Sequence, residues 1–213
     1  LKNLKIMLPI KDKEPDWDYI DTYISNIISE TEKKIKFTSH DMVDDTRTLE
    51  DLTWRQFKMD DVFIIESGVR LTKADMKPGN IPFIGASDSN NGITTFTSTK
   101  NASLDSNVLG VNYNGSVVEN FYHPYEAVFS DDVKRLKLKN HPNNKHVLLF
   151  MKAVILQQKV KYAYGYKFNA TRMKEQIIIL PTKGDGSPDY DFMEQYMKRI
   201  ENSIIERISP VES

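Results

Sequence analysis

The sequence predicts an α+β chain, a β-rich domain with a long amphipathic helix at each end, the two helices pairing antiparallel in coiled-coil fashion. Three observations carry this. A strand–turn–helix segment occurs twice, near the two ends of the 213 residues. Between the copies lie short runs of β-formers separated by Pro-Gly and Asn-Gly turns. One almost continuously apolar run, Val147 to Gln158, is too long for a strand and reads as a buried helix.

The repeat fixes the two ends. The first copy reads Leu8-Pro9-Ile10-Lys11, a polar turn, then Pro15-Asp16-Trp17-Asp18-Tyr19-Ile20. The second reads Leu180-Pro181-Thr182-Lys183, a turn one residue longer, then Pro188-Asp189-Tyr190-Asp191-Phe192-Met193. The leucines are 172 positions apart and the second prolines 173. The approaches, Leu4 to Leu8 and Ile177 to Leu180, are apolar strands. Asp16 or Asp189 caps the helix that follows, and Asp18 or Asp191 complements its dipole. Apolar residues at spacings of three and four make a stripe on each helix. Ile20, Ile24 and Ile27 form it on the first, and Met193, Met197, Ile200 and Ile204 on the second. Matched stripes are self-complementary, so the helices 17–35 and 190–208 are expected to pair within the chain or with a second copy.

Three segments follow. Residues 1–37 are the end of an upstream unit plus the first helix, and the opening Leu suggests a start within a longer protein. Residues 38–183 are the β-rich domain, entered through a polar linker at 38–50. Residues 184–213 hold the second helix. Within the domain Ile64–Gly68 is a strand ending at a glycine, and Pro78-Gly79-Asn80 delivers the strand Ile81–Ile84. Asn91-Gly92 links Phe83–Ala86 to Ile93–Phe96, and Asn114-Gly115 links Val108–Tyr113 to Val117–Tyr122. Asn143 or Asn144 caps the buried helix.

Hydrophobic residues at 39% and charged residues at 28% describe a soluble globular protein. The absence of cysteine excludes disulfides and thiolate metal sites and fits a reducing cytoplasm. No apolar run is long enough for a membrane span, and no signal peptide opens the chain. The formal net charge of −1 hides an asymmetry: Lys134 to Lys183 holds twelve Lys or Arg against the single acid Glu175. Such segregation suggests a polyanionic partner, nucleic acid above all.

Catalytic constellations fail. Pro15-Asp16 with Glu32-Lys33-Lys34 imitates a nuclease pattern, but sixteen helical residues separate the halves by about 24 Å. Ser187-Pro188-Asp189-Tyr190 lacks the second proline of amino-methyltransferase motifs and is explained as a helix start. No glycine-rich loop cradles a phosphate. His40, His123, His141 and His146 are scattered without ligand spacing, so neither metal nor cofactor is expected.

A binding surface remains. Lys161, Tyr162, Tyr164, Tyr166, Lys167 and Arg172 interleave cations with aromatics. Arg70, Lys73, Asn90, Asn91, Asn112, Tyr113 and Asn114 sit at predicted turns, where binding residues concentrate. Lys161 and Lys167 suit phosphates, while Arg172, Asn91 or Asn112 suits base edges.

The chain also resembles the specificity subunits of type I restriction-modification enzymes, and similar subunits of type IIB and IIG systems. The resemblance is carried by Trp54…Phe57…Phe63-Ile64-Ile65-Glu66-Ser67-Gly68 with Leu71-Thr72-Lys73, and by Ile81-Pro82-Phe83-Ile84-Gly85-Ala86-Ser87 with Asn90-Asn91-Gly92-Ile93. Further on come Asn114-Gly115-Ser116-Val117 and Tyr164-Gly165-Tyr166-Lys167-Phe168, then Ile178-Ile179-Leu180-Pro181 through Met193. It implies a target recognition domain reading half of a split site in double-stranded DNA, with spacer helices between two such domains. It also implies a partner methyltransferase subunit that carries the chemistry, in some systems a restriction subunit, and a homodimer if the chain is a half-subunit. The chain departs from the pattern in holding one recognition domain rather than two. The expected function is non-catalytic DNA recognition in the cytoplasm; a helical scaffold without DNA affinity is the alternative.

Overall fold

The computed structural model describes residues 7–34, 41–162 and 168–208. The chain divides into two compact units, residues 1–40 with 204–213 and residues 41–203.

In the smaller unit a two-residue hairpin joins β1 (Ile10–Lys11) to β2 (Glu14–Pro15). Asp12 and Lys13 both take positive φ at its tip, as this tight turn requires. Helix α1 (Trp17–Lys34) follows. The expected strand Leu4–Leu8 lies largely outside the described residues, and Met7 and Leu8 are not in a strand.

Among the described residues the larger unit holds three small sheets. β3 (Thr53–Lys58) runs through the short helix α2 (Met59–Val62) into β4 (Phe63–Ser67). β5 (Ile81–Ile84) and β6 (Ile93–Thr97) are antiparallel across the Asn91-Gly92 turn. β7 (Val108–Asn112) pairs with β8 (Asn120–His123) across the Asn114-Gly115 turn. β8 begins later than expected. Val117 and Val118 are drawn into the loop, where Val118 takes φ +70 and donates its N–H to the Asn112 carbonyl.

β9 (Val128–Phe129) lies parallel to β5, which makes a sheet of order β6-β5-β9 with β6 on its edge. β10 (Val133–Leu138) sits between β4 and β7 in the order β4-β10-β7-β8. The apolar run is helix α3 (Lys145–Leu156). Asn144 caps it, accepting from His146 N–H at 2.8 Å and Val147 N–H at 3.3 Å. Asn143 instead ties Leu138 N–H to the Asn107 carbonyl. Helix α4 (Ala170–Glu175) leads into β11 (Ile177–Thr182), which pairs with β3, and α5 (Tyr190–Ile208) closes the chain.

The core forms where α3 meets the sheets and α5. Val147, Leu148, Met151 and Ile155 pack with Phe63, Leu109, Leu136, Phe168, Ile178, Leu180, Phe192 and Met193, all buried. Met193 is thus spent on its own domain. The exposed stripe of α5 starts lower, with Ile200 at 36% and Ile204 at 52%. On α1 the matching side chains stay outside: Ile24 is 48% exposed and Ile27 44%, with Ile20 half-buried.

Residues 41–48, expected as a linker, form an irregular strap on α5. Asp41 N–H donates to Asn202 Oδ1 at 3.1 Å, and the Asn202 amide donates back to the Asp41 carbonyl at 2.9 Å. Asp44 N–H reaches Gln195 Oε1 at 2.9 Å, and Arg199 reaches the Arg47 carbonyl at 2.6 Å.

Against the second, smaller core cluster of Ile84, Val108, Ala127, Phe129 and Val133 lies His123, fully buried with its ring edge-on to Phe129 at 5.2 Å. Gly110 must be glycine beside it, since a Cβ there would stand 2.9 Å from His123 Nε2. Burial pushes the imidazole down from 6.5 to about 4. The unfolded chain therefore binds a proton between those values that the folded chain does not, so stability is lost as the pH drops from 6.5 towards about 4. The expected loss is about 3 kcal/mol in all. Urea titrations at stepped pH check this: His123→Gln should flatten the dependence between pH 6.5 and about 4, and an unchanged slope would locate the acid sensitivity elsewhere.

Candidate nucleic-acid interface

Two asparagine turns meet at one end of the β-rich unit. Asn90 and Asn91 take φ 49° and 54°, a left-handed conformation that asparagine tolerates better than most residues. Asn90 is exposed. The Asn91 amide turns inward, donating to Tyr125 Oη at 2.8 Å. Asn112 is 1% exposed, and its amide donates to the Ser87 carbonyl at 2.9 Å. Gly115 takes φ +62, and a Cβ there would meet the Ala86 carbonyl at 2.8 Å, so the two loops touch. Asn114 donates to Asp132 Oδ1 at 3.1 Å, and Arg70, with its side chain 79% exposed, stands 3.9 Å from Asp131. Lys134 lies over the Tyr113 ring at 4.5 Å, and burial raises the Tyr113 hydroxyl pKa with help from Asp132 and Asp131. The fold therefore gathers Arg70, Asn90, Asn91, Asn112, Tyr113 and Asn114. It leaves Arg70 and Asn90 outward and uses the Asn91 and Asn112 amides to fix the loops.

The residues expected between 161 and 172 form a separate group. Lys161 is exposed, with Nζ 3.0 Å from Gln176 Oε1, while Tyr162 is 5% exposed and donates to the same oxygen at 2.6 Å. Tyr162 packs on Phe168 at 4.4 Å between ring centroids. Arg172 is half-buried in α4, its N–H capped by Asn169 at 3.0 Å. Tyr164, Tyr166 and Lys167 lie outside the described residues.

The basic stretch 134–183 is not a bare positive face. Arg135 is 6% exposed and reaches Asp105 at 2.8 Å, and Lys137 reaches the same carboxylate at 2.8 Å. Lys139 and Lys174 each stand 3.8 Å from Asp60. Lys145 pairs with Glu201, Lys159 with Glu119 and Lys183 with Asp191. The acids that neutralise these cations come mainly from outside the stretch, so the charge run is long in sequence but short-range in space.

Folding also assembles a trio that spacing did not reveal. Asp41, His146 and Glu201 offer ligand atoms within 4.8 Å of one another. His146 Nε2 is 2.7 Å from Glu201, and the Lys145 ammonium holds the other oxygen of that carboxylate. A bonded ammonium there repels a divalent cation, and the lowered Glu201 pKa follows first from Lys145 and then from His146. The trio acts as a polar clasp joining the strap, α3 and α5.

Sequence reading passed over Lys77, Phe96 and Lys100, which are exposed around β5 and β6. Interspersed acids kept this segment's charge count low. Among the described residues, no helix is long and apolar enough to cross a membrane.

Comparison with known proteins places this geometry. Residues 52–209 match the type I restriction modification DNA specificity domain. The chain is 76% identical over 213 residues to the specificity subunit S.BcgI of a type II restriction enzyme from Heyndrickxia coagulans. That match covers all of this chain and 62% of the relative, so the chain spans less than two thirds of its length. The fold also matches the S subunit of the type I restriction-modification system of M. genitalium, with a TM-score of 0.53 at 14% identity. The superposition covers 88% of this chain and 47% of that one.

The geometry of Asn112 separates loop support from base contact. Asn112→Ala leaves the Ser87 carbonyl without its donor and should cost about 1–3 kcal/mol of stability in urea unfolding. A variant as stable as the parent would return Asn112 to the direct contacts.

Proposed function

We propose that this chain, which belongs to the type I restriction modification DNA specificity family, reads DNA sequence within the specificity subunit of a restriction-modification system. The observation that carries the reading is the extent of the family match. Residues 52–209 take in every strand from β3 onward and the whole of α5. Identity of 76% to a protein named as a specificity subunit supports the same role. On this reading the chain catalyses nothing and binds no cofactor. It directs a methyltransferase or endonuclease to one half of a bipartite site. Its partners are double-stranded DNA and a modification subunit, with a restriction subunit in some systems and a second copy where the chain serves as a half-subunit. The setting is the cytoplasm, where DNA and those subunits meet.

Division of labour follows from exposure. Arg70, Lys73 and Asn90 are outward and suit DNA contacts, and Lys161 is exposed in its separate group. Arg172, Tyr164, Tyr166 and Lys167 are further contacts on this reading. Asn91, Asn112, Tyr113, Asn114 and Tyr162 act by holding the loops. The stripe residues of α1, half-buried Ile20 with exposed Ile24 and Ile27, and the exposed Ile200 and Ile204 of α5 serve helix pairing that sets the distance between half-sites. Met197, half-buried beside the core, bridges the two roles.

Methylation mapping of genomic DNA with and without the gene tests the function. Loss of one bipartite motif is expected. An unchanged methylome together with no DNA affinity at any salt would favour a scaffold. For the helices, Ile24→Asp with Ile200→Asp should dissociate the complex with the modification subunit in light scattering, and an intact complex would remove the pairing role.

A further inference from the structure

The ion-paired lysines raise the question of where free positive charge lies. A cleft of about 810 Å³ opens beside the β5–β6 ribbon, lined by Lys73, Lys77, Phe83, Thr94, Thr95 and Phe96. The segment before β5 is laced to the end of β6. Lys77 N–H donates to Thr99 Oγ1 at 3.1 Å, and the Lys77 carbonyl accepts from Ser98 N–H at 2.9 Å and from Thr97 Oγ1 at 3.0 Å. Lys100 follows directly on this lacing. Lys73, Lys77 and Lys100 are all exposed, and among the described residues none of them forms an ion pair. Asp75, the acid in the same loop, is held by the Thr72 hydroxyl at 2.5 Å. Arg70 stands just before this loop in the chain, and its contact with Asp131 is too long and too exposed to neutralise it.

Many cations elsewhere have a carboxylate within 4 Å, as Arg135, Lys137, Lys145, Lys159 and Lys183 do, and among the described residues these three lysines have none. Three exposed ammonium groups with no ion-pair partner leave local positive charge that attracts a polyanion. Between them an edge strand presents Thr94, Thr95 and Phe96, three consecutive exposed residues, with Phe96 53% exposed. This strand is the free edge of the three-stranded sheet β6-β5-β9, and β-strands that enter a DNA groove read base edges with hydroxyls and pack an aromatic side chain on the thymine methyl.

We infer that the β5–β6 ribbon is the DNA-reading element. Lys73, Lys77 and Lys100 hold the phosphates, and Thr95 and Phe96 determine sequence preference. This rests on the DNA-recognition reading above and names the surface that performs it. The occupant is duplex DNA, because the free charge is positive and the exposed residues between are those that read a groove.

The test uses the full-length protein with its modification subunit and two labelled duplexes, one carrying the methylated motif and one scrambled, titrated over a range of salt. The variant Lys73→Ala/Lys77→Ala/Lys100→Ala should weaken binding to both duplexes. The slope of log affinity against log salt should fall by about 0.9 for each lysine removed. Phe96→Ala should keep the slope and reduce the preference for the motif by about tenfold. Lys159→Ala and Lys183→Ala, each losing an ion-paired ammonium, should leave the slope as it is. Thermal melting of each variant, expected within a degree or so of the parent because these side chains are exposed, separates loss of contact from loss of fold. If the parent binds and the triple variant keeps its slope, or the paired-lysine variants lose theirs equally, the reading element lies elsewhere while the function stands. If the parent binds neither duplex, the function itself falls.

Discussion

Where β11 turns into α5, one buried carboxylate holds three segments together. Asp189 is 3% exposed. Its N–H donates to the Pro181 carbonyl at 2.9 Å, its Oδ1 accepts from Phe192 N–H at 3.1 Å, and its carbonyl accepts from Met193 N–H at 3.1 Å. The Arg47 guanidinium closes on Oδ2 at 3.0 Å and packs over the Phe192 ring, which brings in the strap. The same guanidinium donates to the Asp45 carboxylate, which raises the Arg47 pKa first, with Asp189 after it, and lowers that of Asp45, so the clasp stays charged. Because Phe192 and Met193 lie in the main core, this turn sets the direction in which α5 leaves the recognition domain. The same turn exists at the other end of the chain. Asp16 N–H donates to the Pro9 carbonyl at 2.9 Å, Tyr19 N–H to Asp16 Oδ1 at 3.0 Å, and Ile20 N–H to the Asp16 carbonyl at 3.1 Å. The sequence repeat is thus a repeat of one hydrogen-bonded device for launching a helix from a strand.

Charge placement is the second constraint, and it divides the surface by task. Carboxylates meet Arg135 and Lys137 of β10, Lys145 at the start of α3 and Lys183 after β11, where they support the fold. Lysines around the β5–β6 ribbon have no such partners. A protein that binds a polyanion through a small surface gains from keeping its remaining cations occupied, since stray free charge would add affinity for any DNA without discrimination.

What the sequence disclosed was what local chemistry decides. The Asn-Gly turns, the capped helices, the buried apolar helix and the repeated turn and helix start all depend on neighbours a few residues away. The family resemblance was legible for the same reason, being carried by short ordered motifs. Long-range pairings were hidden. Nothing near Lys159 points to Glu119, and nothing near Lys139 points to Asp60, so the basic stretch looked freer than it is. Asn90 and Asn112 looked alike as turn asparagines, yet one faces solvent and the other feeds its amide to a neighbouring loop. His146 gained Asp41 and Glu201 as companions only when the strap and α5 folded over α3.

The central claim is that the unit from β3 to β11 chooses the bases of one half-site, and exchange of that unit tests it most directly. Residues 53–182 of the full-length protein would be replaced by the counterpart from a specificity subunit of different target, and the methylation motif mapped in cells. The expected result is a hybrid motif in which one half changes and the other half and the spacer length stay. A motif unchanged by the exchange, or one altered in both halves at once, would contradict it.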